Sequence, residues 1–139
     1  MVSALFDTNI LIDYLNGIEQ AKTELDRYSD KAISLITWME VMVGATPDTE
    51  GIMRAFLSGF VNLPIDEPVA GVAVALSKKH KIKLPDAIVW ATAEVHGRLL
   101  VTRNTKDFLF DEPGIRVPYR MCRIVSDWCC AGGRILSLD

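Results

Sequence analysis

Four carboxylates stand at the margins of apolar segments: Asp7 in LFDTNILIDYL, Glu40 in SLITWMEVMVGA, Asp86 in KLPDAIVWATAEVHG and Asp107 in RLLVTRNTKDF. Each has an ordinary structural explanation when taken singly. Asp7 suits the N-cap of a helix starting at Asn9 or Ile10. Thr37-Trp38-Met39-Glu40 fits a capping box, in which the Glu reaches back to the amide of the capping residue. Asp86, beside Pro85, sits well at the positive end of a helix dipole. Asn104 and Asp107 suit a turn or a cap. Jointly, though, all four fall at the end of a strand or the start of the helix after it. Two carboxylates ~5 Å apart repel by about 3 kcal/mol at an effective dielectric of ~20. A group of four must therefore raise its own pKa values or recruit a cation. Oxygen-only ligands favour Mg²⁺ or Mn²⁺ over zinc. Such a cation polarises a phosphate oxygen and strengthens water as a nucleophile, which is the chemistry of phosphoryl transfer to water.

The elements that must position these acids follow from the apolar periodicity. Strands are expected near Ser3–Asp7, Ala32–Leu35, Val61–Ile65, Leu99–Thr102 and Ile115–Val117. Helical spacing fills Asn9–Leu15, Glu19–Tyr28, Thr37–Gly44, Thr49–Phe60, Pro68–Lys81 and Pro85–Gly97. Short apolar strands alternating with helices imply an α/β fold with a parallel sheet covered on both faces. Ligands of such sheets collect outside the carboxyl ends of the strands, where the four acids are expected.

A chain of 139 residues fits one domain, and no apolar run reaches the ~18 residues of a membrane span. The N-terminus has neither the basic start nor the apolar core of a signal peptide, so a cytoplasmic location is expected. With 18 acids against 15 Lys and Arg, bulk charge does not favour unspecific nucleic-acid binding, though a local basic surface remains compatible. Cys122, Cys129 and Cys130 form no CxxC, and no His follows His96, which argues against a zinc site. GxGxxG and GxxxxGK[ST] are both absent from the sequence.

Together, LFDTNILIDYL, SLITWMEVMVGA, the stretch from Leu84 to Phe108 and the later IRVP resemble PIN-domain proteins. The nearest likeness is to the VapC-like ribonuclease toxins of bacterial type II toxin–antitoxin modules, in the right order over about residues 2–119. The resemblance implies a three-layer α/β/α sandwich with a central parallel sheet, here a PIN domain over 1–118 followed by an extension, 119–139, without a counterpart. It places the family's acidic quartet on Asp7, Glu40, Asp86 and Asp107, with Asp7 and Asp86 the firmest metal ligands and Asp107 next. Glu40 would bind through water or accept a proton from the attacking water. The small polar residues beside the metal fall on Thr8, Asn9, Thr102 and Asn104. The same likeness implies an Mg²⁺- or Mn²⁺-dependent endoribonuclease, a homodimer, and an antitoxin whose C-terminal segment occupies the acidic groove.

Arg103 and Lys106, within the segment that carries Asp107, are candidate RNA contacts; the cluster Lys78, Lys79, Lys81 and Lys83 is better explained as a solvated helix end. Trp38 and Trp90 are expected in the core or at a dimer contact, and Asp13 at the surface. Two other functions compete. A haloacid-dehalogenase-like phosphatase also places an Asp after its first strand, but needs a second acid where this chain has Asn9. A catalytically silent PIN scaffold that binds RNA or protein is disfavoured by the presence of all four acids.

Overall fold

The computed structural model describes residues 2–105 and 112–120. Its elements run β1 (Ala4–Phe6), α1 (Thr8–Leu15), α2 (Glu19–Asp26), β2 (Lys31–Ser34), α3 (Leu35–Val43), α4 (Glu50–Leu57), β3 (Val61–Leu63), α5 (Glu67–His80), α6 (Leu84–Val95), β4 (Leu99–Val101) and β5 (Ile115–Arg116). The strands form one parallel sheet in the order β3-β2-β1-β4-β5. This is the α/β/α sandwich expected from the sequence.

Alternation along the strands sorts side chains to two cores. Ala4 and Phe6 face a cluster built with Ile10, Leu11, Leu25, Val41, Met53 and Leu57, all from α1–α4. Leu5 and Leu100 face the opposite cluster, formed with Val69 and Ala73 of α5 and Ala87, Val89 and Trp90 of α6. Helices on both faces explain why β1 is apolar at every position rather than at every second one. Phe6 is fully buried, with edge-on contacts to Tyr28 at 5.6 Å and Phe60 at 6.1 Å between ring centroids.

Two helix ends set the register of the active edge. The sequence suggested Thr37 as a helix cap and Glu40 as its capping-box partner; the structure corrects this. Helix α3 starts at Leu35, directly after β2, because the Ser34 hydroxyl accepts from the Ile36 amide and caps the helix without a loop. Thr37 is then inside the first turn, and Glu40 lies in the second. At the other end, Gly97, just past the C-cap of α6, takes φ +62°. The Arg98 amide bonds the Ala93 carbonyl and the Gly97 amide bonds the Glu94 carbonyl, a Schellman stop that turns the chain straight into β4. The C-terminus of α6 thus lies at the amino edge of the sheet. Its 12 residues span ~18 Å, which carries its first turn, and Asp86, towards the carboxyl edge.

Candidate active site

Asp7 follows the last residue of β1, and its own amide bonds the Val101 carbonyl of β4. Only 5% exposed, its carboxylate takes three hydrogen bonds. Oδ1 accepts from the Thr8 amide (2.7 Å), which makes Asp7 the cap of α1 as well. Oδ2 accepts from the Thr102 hydroxyl (2.8 Å) and from Asn9 Nδ2 (3.2 Å). Thr102 directly follows β4, whose register sets Val101 opposite Phe6, so the parallel pairing itself brings positions 7 and 102 together. The Thr102 oxygen also accepts from the Asn104 amide at 3.0 Å.

Glu40 enters from α3. It is exposed, and its Oε1 accepts from the Thr8 hydroxyl at 2.7 Å; that hydroxyl also lies 3.2 Å from the buried Thr37 oxygen. One residue, Thr8, therefore touches both carboxylates, through its amide and through its side chain. Asp86 is the third residue of α6, half-buried in the first turn, where the helix dipole favours a negative charge. Asp107 and Lys106 lie outside the described residues, as do the three cysteines and the extension beyond Arg120.

Burial pushes the Asp7 carboxyl up to about 6, and the Glu40 charge adds to the rise; the Thr102 hydroxyl, the Thr8 amide and the Arg103 charge oppose it. The amino edge of the sheet behaves in the opposite way. There the Ser3 hydroxyl and the Arg98 guanidinium hold Asp30 below the usual carboxylate range. A buried acid whose carboxyl stays raised despite these contacts, with a second acid bridged to it, is suited to a cation. The donors are all oxygens, which fits a hard divalent ion. Among the described residues, no group of three or more Asp, Glu, His or Cys is gathered closely enough to hold a metal ion. The described part of the site is thus an acid pair with Asp86 on a third element.

Asp13 overturns its expected place on the surface. It is 5% exposed, and the Arg103 guanidinium forks onto it, with Nε 2.5 Å from Oδ2 and the second nitrogen 3.1 Å from Oδ1. The Tyr119 hydroxyl donates to Oδ2 at 2.7 Å. A signal was present: Asp13 lies four residues after Asn9 and three after Ile10, on the inward side of a helix with apolar residues almost all round. A similar fork joins Arg116 to the buried Glu24, with Nε 2.6 Å from Oε2 and the second nitrogen 3.0 Å from Oε1. Nothing in the local sequence announced that pair.

Comparison with known proteins decides the family. The PIN domain model matches residues 4–113. The chain belongs to the PIN-domain family. A chain of a toxin–antitoxin complex from Klebsiella pneumoniae is 51% identical, with a TM-score of 0.82, and the match covers 86% of this chain and 100% of that one. A chain of FitAcB from Neisseria gonorrhoeae is 26% identical, with a TM-score of 0.71, over 85% of this chain and 99% of the other. VapBC2 from Rickettsia felis, bound to a DNA fragment from its promoter, contains a chain 20% identical with a TM-score of 0.69, over 84% and 96%; that likeness speaks for the fold alone. No curated protein matches the chain. The resemblance to VapC-like PIN proteins, read first from the sequence, agrees with these likenesses.

Proposed function

We propose that this PIN-domain protein is a metal-dependent endoribonuclease and the toxin of a toxin–antitoxin pair. The observation that carries the reading is Asp7: a buried, cation-seeking carboxylate at the carboxyl edge of a PIN sheet, held by Thr102, Asn9 and Thr8 and bridged to Glu40. Its likeness to a chain of a toxin–antitoxin complex, at 51% identity, supports an antitoxin partner. A homodimer is proposed from the family resemblance. No helix among the described residues is long and apolar enough to cross a membrane, which is compatible with a cytoplasmic setting.

Asp7, Asp86 and Asp107 would hold Mg²⁺ or Mn²⁺, with Glu40 close by. When bound, that cation supplies charge to neutralise a phosphate oxygen and to favour attack by water. The protein's own groups do the rest. Thr102 and Asn9 fix the Asp7 carboxylate, and Thr8 fixes Glu40. Glu40, exposed at the edge, takes the proton from the attacking water.

The test is hydrolysis of a structured RNA by the purified protein, with and without EDTA, beside a small phosphomonoester. RNA cleavage that stops with EDTA, and an intact monoester, are expected. Cleavage of the monoester instead would favour the phosphatase reading. RNA binding without cleavage at saturating Mn²⁺ would favour the silent scaffold.

A further inference from the structure

We propose that Arg103, locked by Asp13 and Tyr119, is a positioning residue for Asp7 that acts through Asn9, rather than a contact for RNA. The inference rests on the nuclease reading above. Arg103 directly follows Thr102, whose hydroxyl bonds Asp7. From the sequence it was a candidate for phosphate binding. Its side chain instead turns in against α1, where the planar fork of the guanidinium spans both oxygens of Asp13. Tyr119, from the segment after β5, donates to the same carboxylate and packs against the first core cluster. The Arg103 side chain is 28% exposed and that of Asp13 only 6%. Reaching out to an RNA phosphate would break the fork and leave Asp13 charged inside the protein.

The other end of the device is the Arg103 backbone. Its amide donates to Asn9 Oδ1 at 3.3 Å. An accepting oxygen there obliges the Asn9 nitrogen to face the other way, towards Asp7 Oδ2 at 3.2 Å and the Thr102 oxygen at 3.3 Å. Tyr119, Asp13, Arg103 and Asn9 thus form one chain of contacts from the end of the described fold to the metal-seeking carboxylate. Among the described residues, every buried side-chain nitrogen and oxygen has a partner, so the chain has no slack donor through which Asn9 could turn without loss. Outer groups of this kind set how well a metal ligand is aimed.

The experiment compares wild type with Asp13→Asn, Arg103→Gln, Arg103→Lys and Tyr119→Phe in the full chain. Four quantities are read: melting temperature, kcat and KM on RNA, RNA affinity in EDTA, and Mn²⁺ affinity by electron paramagnetic resonance. Asp13→Asn and Arg103→Gln are expected to lose roughly 10- to 100-fold in kcat and in Mn²⁺ affinity. Their RNA affinity in EDTA should equal that of wild type. Arg103→Lys, which keeps the charge and loses the fork, should fall between. Where Asp13→Asn does not fold, Tyr119→Phe, which removes a single oxygen, carries the test with a smaller loss of the same two quantities.

Weaker RNA binding by Arg103→Gln, with Asp13→Asn unaffected, would overturn the proposal and return Arg103 to the RNA surface. A lower melting temperature with unchanged kcat and Mn²⁺ affinity would also overturn it, because the pair would then be a staple only. A wild-type protein that neither binds Mn²⁺ nor cleaves RNA refutes the nuclease reading itself, and this inference with it. Active wild type with active variants refutes this inference alone.

Discussion

At Asp7, burial raises the carboxyl to about 6 although three hydrogen bonds hold it. An unfolded Asp ionises near ~3.9, so between about pH 4 and pH 6 the folded, metal-free protein binds more protons at this position than the unfolded chain. Stability from Asp7 is therefore full at low pH and lost as pH rises through that window, by about 3 kcal/mol at most. Asp7→Asn removes the buried charge and keeps an acceptor for the Thr8 amide. In urea denaturation of the metal-free proteins, the variant should be the more stable at pH 7, by about 2 kcal/mol, and the advantage should shrink towards pH 4. Equal stability at both pH values would contradict this electrostatic account. Asp7 itself was legible from its place after an apolar strand. The burial of Asp13 had a local signal in the helix pattern, but its partners were not legible, since Arg103 and Tyr119 lie far along the chain.

Element boundaries were legible where one signal dominated. Continuous apolar residues in β1 and β4 marked buried strands, and the helical spacing after them marked the covering layers. The start of α3 was misread because two caps compete within four residues. Thr37 and Glu40 carry the sequence pattern, but Ser34 sits at the strand end, where a cap permits a junction with no loop. Ser34→Ala should therefore cost about 1 kcal/mol in thermal or urea unfolding; no loss would return the cap to Thr37. The shift matters for the site, since it moves Glu40 one turn along α3 and into reach of the Thr8 hydroxyl. In α2, the buried Glu24 is forked by Arg116 and receives the Tyr28 hydroxyl. Glu24→Ala leaves the half-exposed Arg116 unpaired and opens space in α2, so a loss of about 2–3 kcal/mol is expected in urea denaturation.

For the molecule as a whole, the order of elements already dictated a parallel sheet, and a parallel sheet gathers strand ends at one edge. This is why acids far apart in sequence could be expected at one edge. What the sequence could not give was the network beneath them, because buried ion pairs depend on which helix covers which strand. The same edge predicts a linkage between metal and stability. A ligand bound only by the folded state stabilises it by about 2.7 kcal/mol at 100 times its dissociation constant. Mn²⁺ should thus raise the melting temperature of wild type and leave that of Asp7→Asn nearly unchanged; an equal rise in both would place the ion elsewhere. The most direct test of the central claim is RNA cleavage in Mn²⁺ by wild type, Asp7→Asn and Asp86→Asn, each shown to be folded. Cleavage by wild type alone, abolished by EDTA, is the predicted result; cleavage that survives either substitution would contradict it.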